Sequence, residues 1–547
     1  MGSLPSISRT PIKTLTNSQK HNNPYYKEKK MNPTTYIRPL ILGGLSLLLL
    51  ACGGGSDNDD GNNNPPTVDT LPAGEITGQI IDGKTGQPLA AAIVSVEGLD
   101  TTTASDGSYI LQGISTGERI VVSVSKAGFA NQSKIVRLTE QYSSTTLPVS
   151  LLPVSLTQTF DPNTNQTLTV ENTPASVSIP ASSLVQNNGS APDGNVTVNL
   201  TVIDPTIDIG FMPGDMLTDV GNGSLSPIES FGAITVTFTD ASGNNLNLSQ
   251  GSTSTIRIPL ADKSGSPPAS IPLYFYDGTA GIWIEEGVAT LILDATNSYY
   301  EGTVNHFSTW NADYLYPQVQ VHGCVKDSSG ALVTGVSAIS TGDDYSGQSS
   351  AYTDTSGNFS IIVKPDSSVL IHGIRAGIKT NTVLLETTAS EQTMDECLLL
   401  PTASGIGDTA ISIKLSWGNT PFDLDAYLNG PGNMKVYYID QGSLTDYPFS
   451  QLDVDDTNSF GPEVITIFKF PEPGVYRYSV HNYSETFEQG ITGSPTRVEL
   501  NIEGNISLYT PPAGEGSNIT WNVFDLVVDE NAGVIVTPIN TWSEFEP

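Results

Sequence analysis

Two short stretches near the C-terminus gather carboxylates at spacings that suit a cation. Asp423 and Asp425 lie in PFDLDAY, and Asp453, Asp455, Asp456 and Glu463 lie in LDVDDTNSFGPE. In an extended strand, residues two apart face one side, so Asp423 and Asp425 converge while Leu424 turns into a core. The second stretch is bounded by Gly and Pro and can fold its oxygens around an ion. Hard oxygen ligands without His or Cys point to Ca²⁺ rather than zinc. The EF-hand pattern fails, because no Gly stands sixth from Asp453 and Glu463 falls one residue early. The competing reading is a solvated acidic loop whose Asp side chains accept backbone hydrogen bonds in Asx-turns.

Patterns for covalent chemistry are thinner. Gly113-Ile114-Ser115-Thr116-Gly117 fits G-x-S-x-G, but a nucleophile elbow needs a helix after it, and ERIVVSVS reads as a strand. His306, His322, His372 and His481 are far apart, with no HxxE or HExxH pairing for zinc. No residue is assigned a catalytic role, and the chain is expected not to be an enzyme. The rival class is a secreted hydrolase or processing factor built on paired carboxylates, which an acidic chain always offers.

The elements that position these groups are β-strands. The chain has 547 residues, 37% hydrophobic and 15% charged, with 52 Gly and 36 Pro. That length exceeds one core, and Gly/Pro-punctuated alternating runs read as an all-β chain of several modules. The net charge is −34. Removing residues 1–51 takes away seven basic residues and one acidic one, leaving 16 basic against 56 acidic, a net −40. Such a surface repels nucleic acid, which is excluded as a partner.

Residues 1–51 read as a leader and export signal. Arg38 precedes an apolar run, PLILGGLSLLLL, whose core is too short to span a bilayer, and the run ends in Leu49-Leu50-Ala51-Cys52. Met31 is the better start, since it places Arg38 in a short basic region. The ending resembles the lipobox of bacterial lipoproteins. That resemblance implies palmitate-type acylation of Cys52, cleavage before it, and a membrane partner reached through lipid. Gly53, where an Asp would resemble an inner-membrane retention signal, implies the outer membrane. Residues 52–73 read as a flexible tether.

Internal repetition organises the rest. ITGQIIDGKTGQPLAAAIVSVEG and SDGSYIL in residues 74–152 correspond to VQVHGCVKDSSGALVTGVSAIS and TSGNFSI in residues 317–401, with Asp106-Gly107-Ser108-Tyr109 matching Ser356-Gly357-Asn358-Phe359. Both segments resemble the carboxypeptidase regulatory-like module, a small transthyretin-like β-sandwich that is the non-catalytic part of its namesake enzymes. The resemblance places Cys324 in the first strand of the second module and Cys397 in its last. As the two cysteines left after Cys52, they are expected to form a disulfide in an oxidising compartment, the alternative being two separate buried thiols.

Residues 153–316, with SFGAITVTFTD, PLYFYD and HFSTWNAD, resemble a larger sandwich that often follows such modules and is distantly similar to ZU-type domains. Some of those self-cleave at His-Phe-Ser, so His306-Phe307-Ser308 is an alternative reactive site; the plainer reading makes Phe307 and Trp310 core aromatics. Residues 402–547, with WGNTPFDLD, DDTNSFGPE and GVYRYSV, resemble the YfaP-type β-sandwich of exported bacterial proteins. The whole is expected to be an outer-membrane lipoprotein of tandem β-sandwiches. It would present them, without catalysis, to glycan, protein or matrix, and the junctions near 153, 317 and 402 are expected to be open to protease.

Overall fold

The computed structural model describes residues 74–547 except 222, 295–296, 402–407, 486–489 and 532. Cys52, the signal segment and the tether lie outside the described residues, as does the stretch after Pro401. The described chain is all-β: strands run from Gly74–Asp82 to Val534–Ser543, and the helical elements are two single turns, Ile209–Phe211 and Pro431–Asn433.

Residues 74–151 fold as two facing sheets. In one, Gly74–Asp82 pairs antiparallel with Ser108–Ile114 and parallel with Ser144–Thr146 and Val149–Leu151; the other runs Leu99–Thr102, Ile93–Val96, Gly117–Ser125, Gln132–Leu138. Alternate residues Ile76, Ile80, Val94, Val96, Val122 and Val124 fill the space between them, as period-2 patterning requires. Residues 319–400 repeat the scheme. Val319–Asp327 pairs antiparallel with Asn358–Val363 and parallel with Gln392–Thr393 and Leu398–Leu400. The repeated sequence performs the same local work twice. Gly107 and Gly357 have φ +75° and +73° at matching turns, a conformation that glycine adopts without steric cost. The hydroxyl of Thr103 accepts from Ala92 N (2.9 Å) and donates to Leu89 O, and that of Thr353 accepts from Val336 N (2.9 Å) and donates to Val333 O.

Strands within residues 156–315 make a 13-stranded sheet. Its path begins at Gln166–Thr169 and ends at Leu156–Phe160, yet Leu168 and Phe160 from those two ends share one core with Trp310 and Phe238. The sheet therefore curls back on itself. Residues 408–543 form a sandwich of a six-stranded and a five-stranded sheet around Trp417, Leu424, Tyr476, Tyr478, Trp521 and Phe524.

The module borders are packed. Pro153 bridges Phe129, and Tyr316 is buried against Tyr345 at 5.5 Å. Arg119 pairs with Asp215, Lys364 with Glu229 at 2.9 Å, Lys379 with Glu499 at 3.2 Å and Arg497 with Asp208 at 2.8 Å. Leu370, Val454 and Val464 form a small core shared by the second repeat and the C-terminal sandwich. The junctions near 153 and 317 thus differ from the polar, contact-poor stretches expected. The ion pairs that bind them come from residues far apart in sequence, which periodicity does not register.

Candidate metal centre

Two loops of the C-terminal sandwich are zipped together to make the site. Trp417 N donates to Phe460 O (3.2 Å), Phe460 N to Gly418 O (3.0 Å) and Ser459 N to Phe422 O (2.8 Å). Gly461, at φ +67°, passes under the Trp417 ring so closely that a Cβ there would lie 2.5 Å from it. The zip delivers Glu463, at the head of strand Glu463–Lys469, opposite Asp425, at the head of strand Asp425–Asn429 in the other sheet.

Asp425, Asp455 and Glu463 each offer an oxygen within 4.8 Å of the others. Glu463 is 0% exposed and Asp425 3%, while Asp455 is half-buried. One Glu463 oxygen accepts from Ala426 N; the other meets no standing donor and lies against the Asp455 carboxyl. One buried oxygen of Asp425 and one of Asp423 are also without a partner. Burial first, then the charges of Asp423 and Asp455, push Asp425 up to about 8. Burial and the charges of Asp455 and Asp456 push Asp423 to about 6, and burial with Asp425 beside it drives Glu463 well above the usual carboxylate range. Buried acceptors left without donors are costly, so the cluster has unspent capacity for something positive.

The other two predicted residues face elsewhere. Asp453 is half-buried, with one oxygen accepting from Thr466 Oγ1 (2.6 Å) and Thr382 N (2.9 Å). Burial outweighs those bonds and raises it to about 7. Asp456 accepts from Asn458 N (2.8 Å), an Asx-turn. The sequence pattern missed Glu546, whose charge acts on Asp425 and which accepts from Tyr427 Oη at 2.9 Å; no spacing rule connects it to the cluster.

Candidate covalent chemistry finds structural roles. Gly113 (φ +85°) and Ser115-Thr116 join two strands, Ser108–Ile114 and Gly117–Ser125, so no helix follows the G-x-S-x-G pattern. Phe307 is buried 4.6 Å from Phe238, and its peptide N–H and C=O both bond the Asn247 amide. Ser308 Oγ donates to Tyr276 O (3.1 Å), and the His306 ring packs on Phe275 (4.6 Å) and Trp310 (4.9 Å). His372 is held neutral by burial and by Lys379, its pKa lowered to about 3. His322 bonds Ser360 and Glu391 at an exposed edge, and His481 is buried beside Thr520. Cys324 and Cys397 are joined by a disulfide with Cα atoms 4.6 Å apart, next to the parallel pair Val325–Leu398.

The architecture defines a multi-module β-sandwich protein, and one module is matched to a family. Residues 75–152 match the carboxypeptidase regulatory-like domain. No curated protein matches the chain. Among solved structures, a protein of unknown function, SAV2460, is 14% identical over 26% of this chain and 93% of its own (TM-score 0.22). The major pilin subunit BcpA of Bacillus cereus is 8% identical over 60% of this chain and 99% of its own (TM-score 0.13). The Bacillus anthracis TIE protein is 11% identical over 60% of this chain and 51% of its own (TM-score 0.14).

Proposed function

We propose that this is a non-catalytic envelope lipoprotein, anchored at the outer membrane through Cys52, which presents β-sandwich modules to a glycan or protein and holds Ca²⁺ in its C-terminal module. The observation that carries the reading is the set of buried, partnerless oxygens on Asp423, Asp425 and Glu463 beside half-buried Asp455. A pair of catalytic carboxylates must reach a substrate, whereas Glu463 is wholly enclosed. Ca²⁺ accepts six to eight oxygens in flexible geometry, and backbone carbonyls and water complete such shells.

Thermal unfolding of the full chain tests the ion. Ca²⁺ at about 100 times its dissociation constant should stabilise the site by about 2.7 kcal/mol relative to EDTA, a rise of roughly 5–10 °C in the transition of a module this size. Asp425→Asn with Asp455→Asn should erase the rise. In EDTA the same variant should melt no lower than wild type, because it removes crowded buried charge. An equal midpoint with and without Ca²⁺ leaves the carboxylates as turn residues. A panel of glycoside, ester and peptide substrates should show no turnover by the full chain; hydrolysis of any of them contradicts the non-catalytic part.

A further inference from the structure

The basic residues of this acidic chain are few, with 23 Lys and Arg against 57 Asp and Glu. Four of them meet around one cavity of about 330 Å³. Lys134 comes from strand Gln132–Leu138, Lys263 from the loop after Ser254–Pro259, Lys379 from Ile378–Lys379 and Lys414 from Asp408–Ser416. Each of the four sandwiches contributes one. The ionised acids in the lining are Asp208 and Glu499, and both are already engaged, Asp208 by Arg497 at 2.8 Å and Glu499 by Lys379 at 3.2 Å.

The lysines are only partly satisfied. Lys134 Nζ donates to Gly210 O (2.6 Å) and Met212 O (2.9 Å), and Lys263 Nζ to Asp343 O (3.2 Å). Lys414 makes no side-chain hydrogen bond or close ion pair among the described residues, although its charge acts on both Asp208 and Glu499. An ammonium carries three donors, so most of this donor capacity is unspent. Concentrating like charge in a partly desolvated space is costly unless a counter-charge enters. Burial lowers Lys134 to about 8 against the opposing charges of Asp208 and Asp215, and burial followed by the Lys414 charge lowers Lys263 against those of Asp343, Asp456 and Asp204.

We propose that this cavity, where the four modules meet, binds a small organic oxyanion, a phosphate or sulfate ester about one sugar ring in size. The volume lies at the lower end of small-molecule sites, about 300–1,000 Å³. It has room for roughly ten waters at ~30 Å³ each, more than a bare oxyanion fills. Lys414 is the group with most to gain, and the other three close around the same charge. The ligand would touch all four modules, so it would hold their arrangement as well as be held by it. The cavity shares the loop 460–462 with the carboxylate cluster but is lined by none of its carboxylates, and the proposal does not depend on Ca²⁺ binding there.

The test is calorimetric titration of the full chain at fixed ionic strength with N-acetylglucosamine 6-phosphate, the uncharged parent sugar and inorganic phosphate. The sugar phosphate should bind one per chain and the parent sugar should not. Inorganic phosphate binding as tightly as the ester would keep the anion site and assign it to free oxyanion. Lys414→Gln should weaken binding at least tenfold while the ligand-free chain still unfolds cooperatively, and Lys414→Arg should restore it. Absence of binding by either anion at millimolar concentration, or full affinity in Lys414→Gln, overturns the proposal.

Discussion

Cys52→Ser should move the protein from the membrane fraction to an unprocessed or soluble periplasmic form, an all-or-none change. In the proposed anchor the thiol is the acyl acceptor, and serine would offer neither the thioether nor a cleavage site for a lipoprotein peptidase. Two or three acyl chains give stable attachment, whereas one alone binds marginally. No helix among the described residues is long and apolar enough to cross a membrane. Fractionation with metabolic labelling by palmitate reads the result. Label and membrane sedimentation lost together support the anchor; a Cys52→Ser protein that still sediments and still takes up label contradicts it.

The second large effect concerns the bridge in the second repeat. Cys324 and Cys397 are separated by 73 residues. Closing a loop of that length removes unfolded-state entropy worth about 4 kcal/mol on the chain-entropy estimate. The double variant Cys324→Ser, Cys397→Ser should therefore show a clearly lower denaturant midpoint than oxidised wild type. It should also be cut by protease between 317 and 401 before the other modules, since the bridge ties the first strand of that repeat to its last. Dithiothreitol should bring wild type to the variant's behaviour and leave the variant unchanged. Equal midpoints in all three states would mean that the bridge adds nothing to the fold.

Much of the fold could be read from the chain because sandwiches advertise themselves. Alternation at Val94 and Val96 or Val122 and Val124 fixes which face is buried, and the repeated turn glycines announce two copies of one unit. The carboxylate site was legible in part. Asp425 and Glu463 converge as strand-head residues, with an oxygen of Asp455 close to both. Asp453 and Asp455 share a spacing of two and ought to share a face, but the register shifts between Leu452 and Val454. A bulge of this kind re-aims the side chains beyond it, sending Asp453 to Thr466 and Thr382 and Asp455 to the cluster. The lysine cavity could not be read at all. Lys134 and Lys414 look like ordinary polar members of alternating strands, and only the packing of modules brings them together.

The direct measurement is calcium retained by the full chain at equilibrium dialysis, before and after replacement of Asp425 and Asp455 by Asn. Glu463 and Asp425 are enclosed, with oxygens that no protein donor reaches. The site predicts one ion per chain bound by wild type and lost in the double variant, with magnesium at equal concentration a poor competitor because it demands a tighter octahedral shell. Wild type that retains no calcium, or a double variant that retains as much, would contradict it.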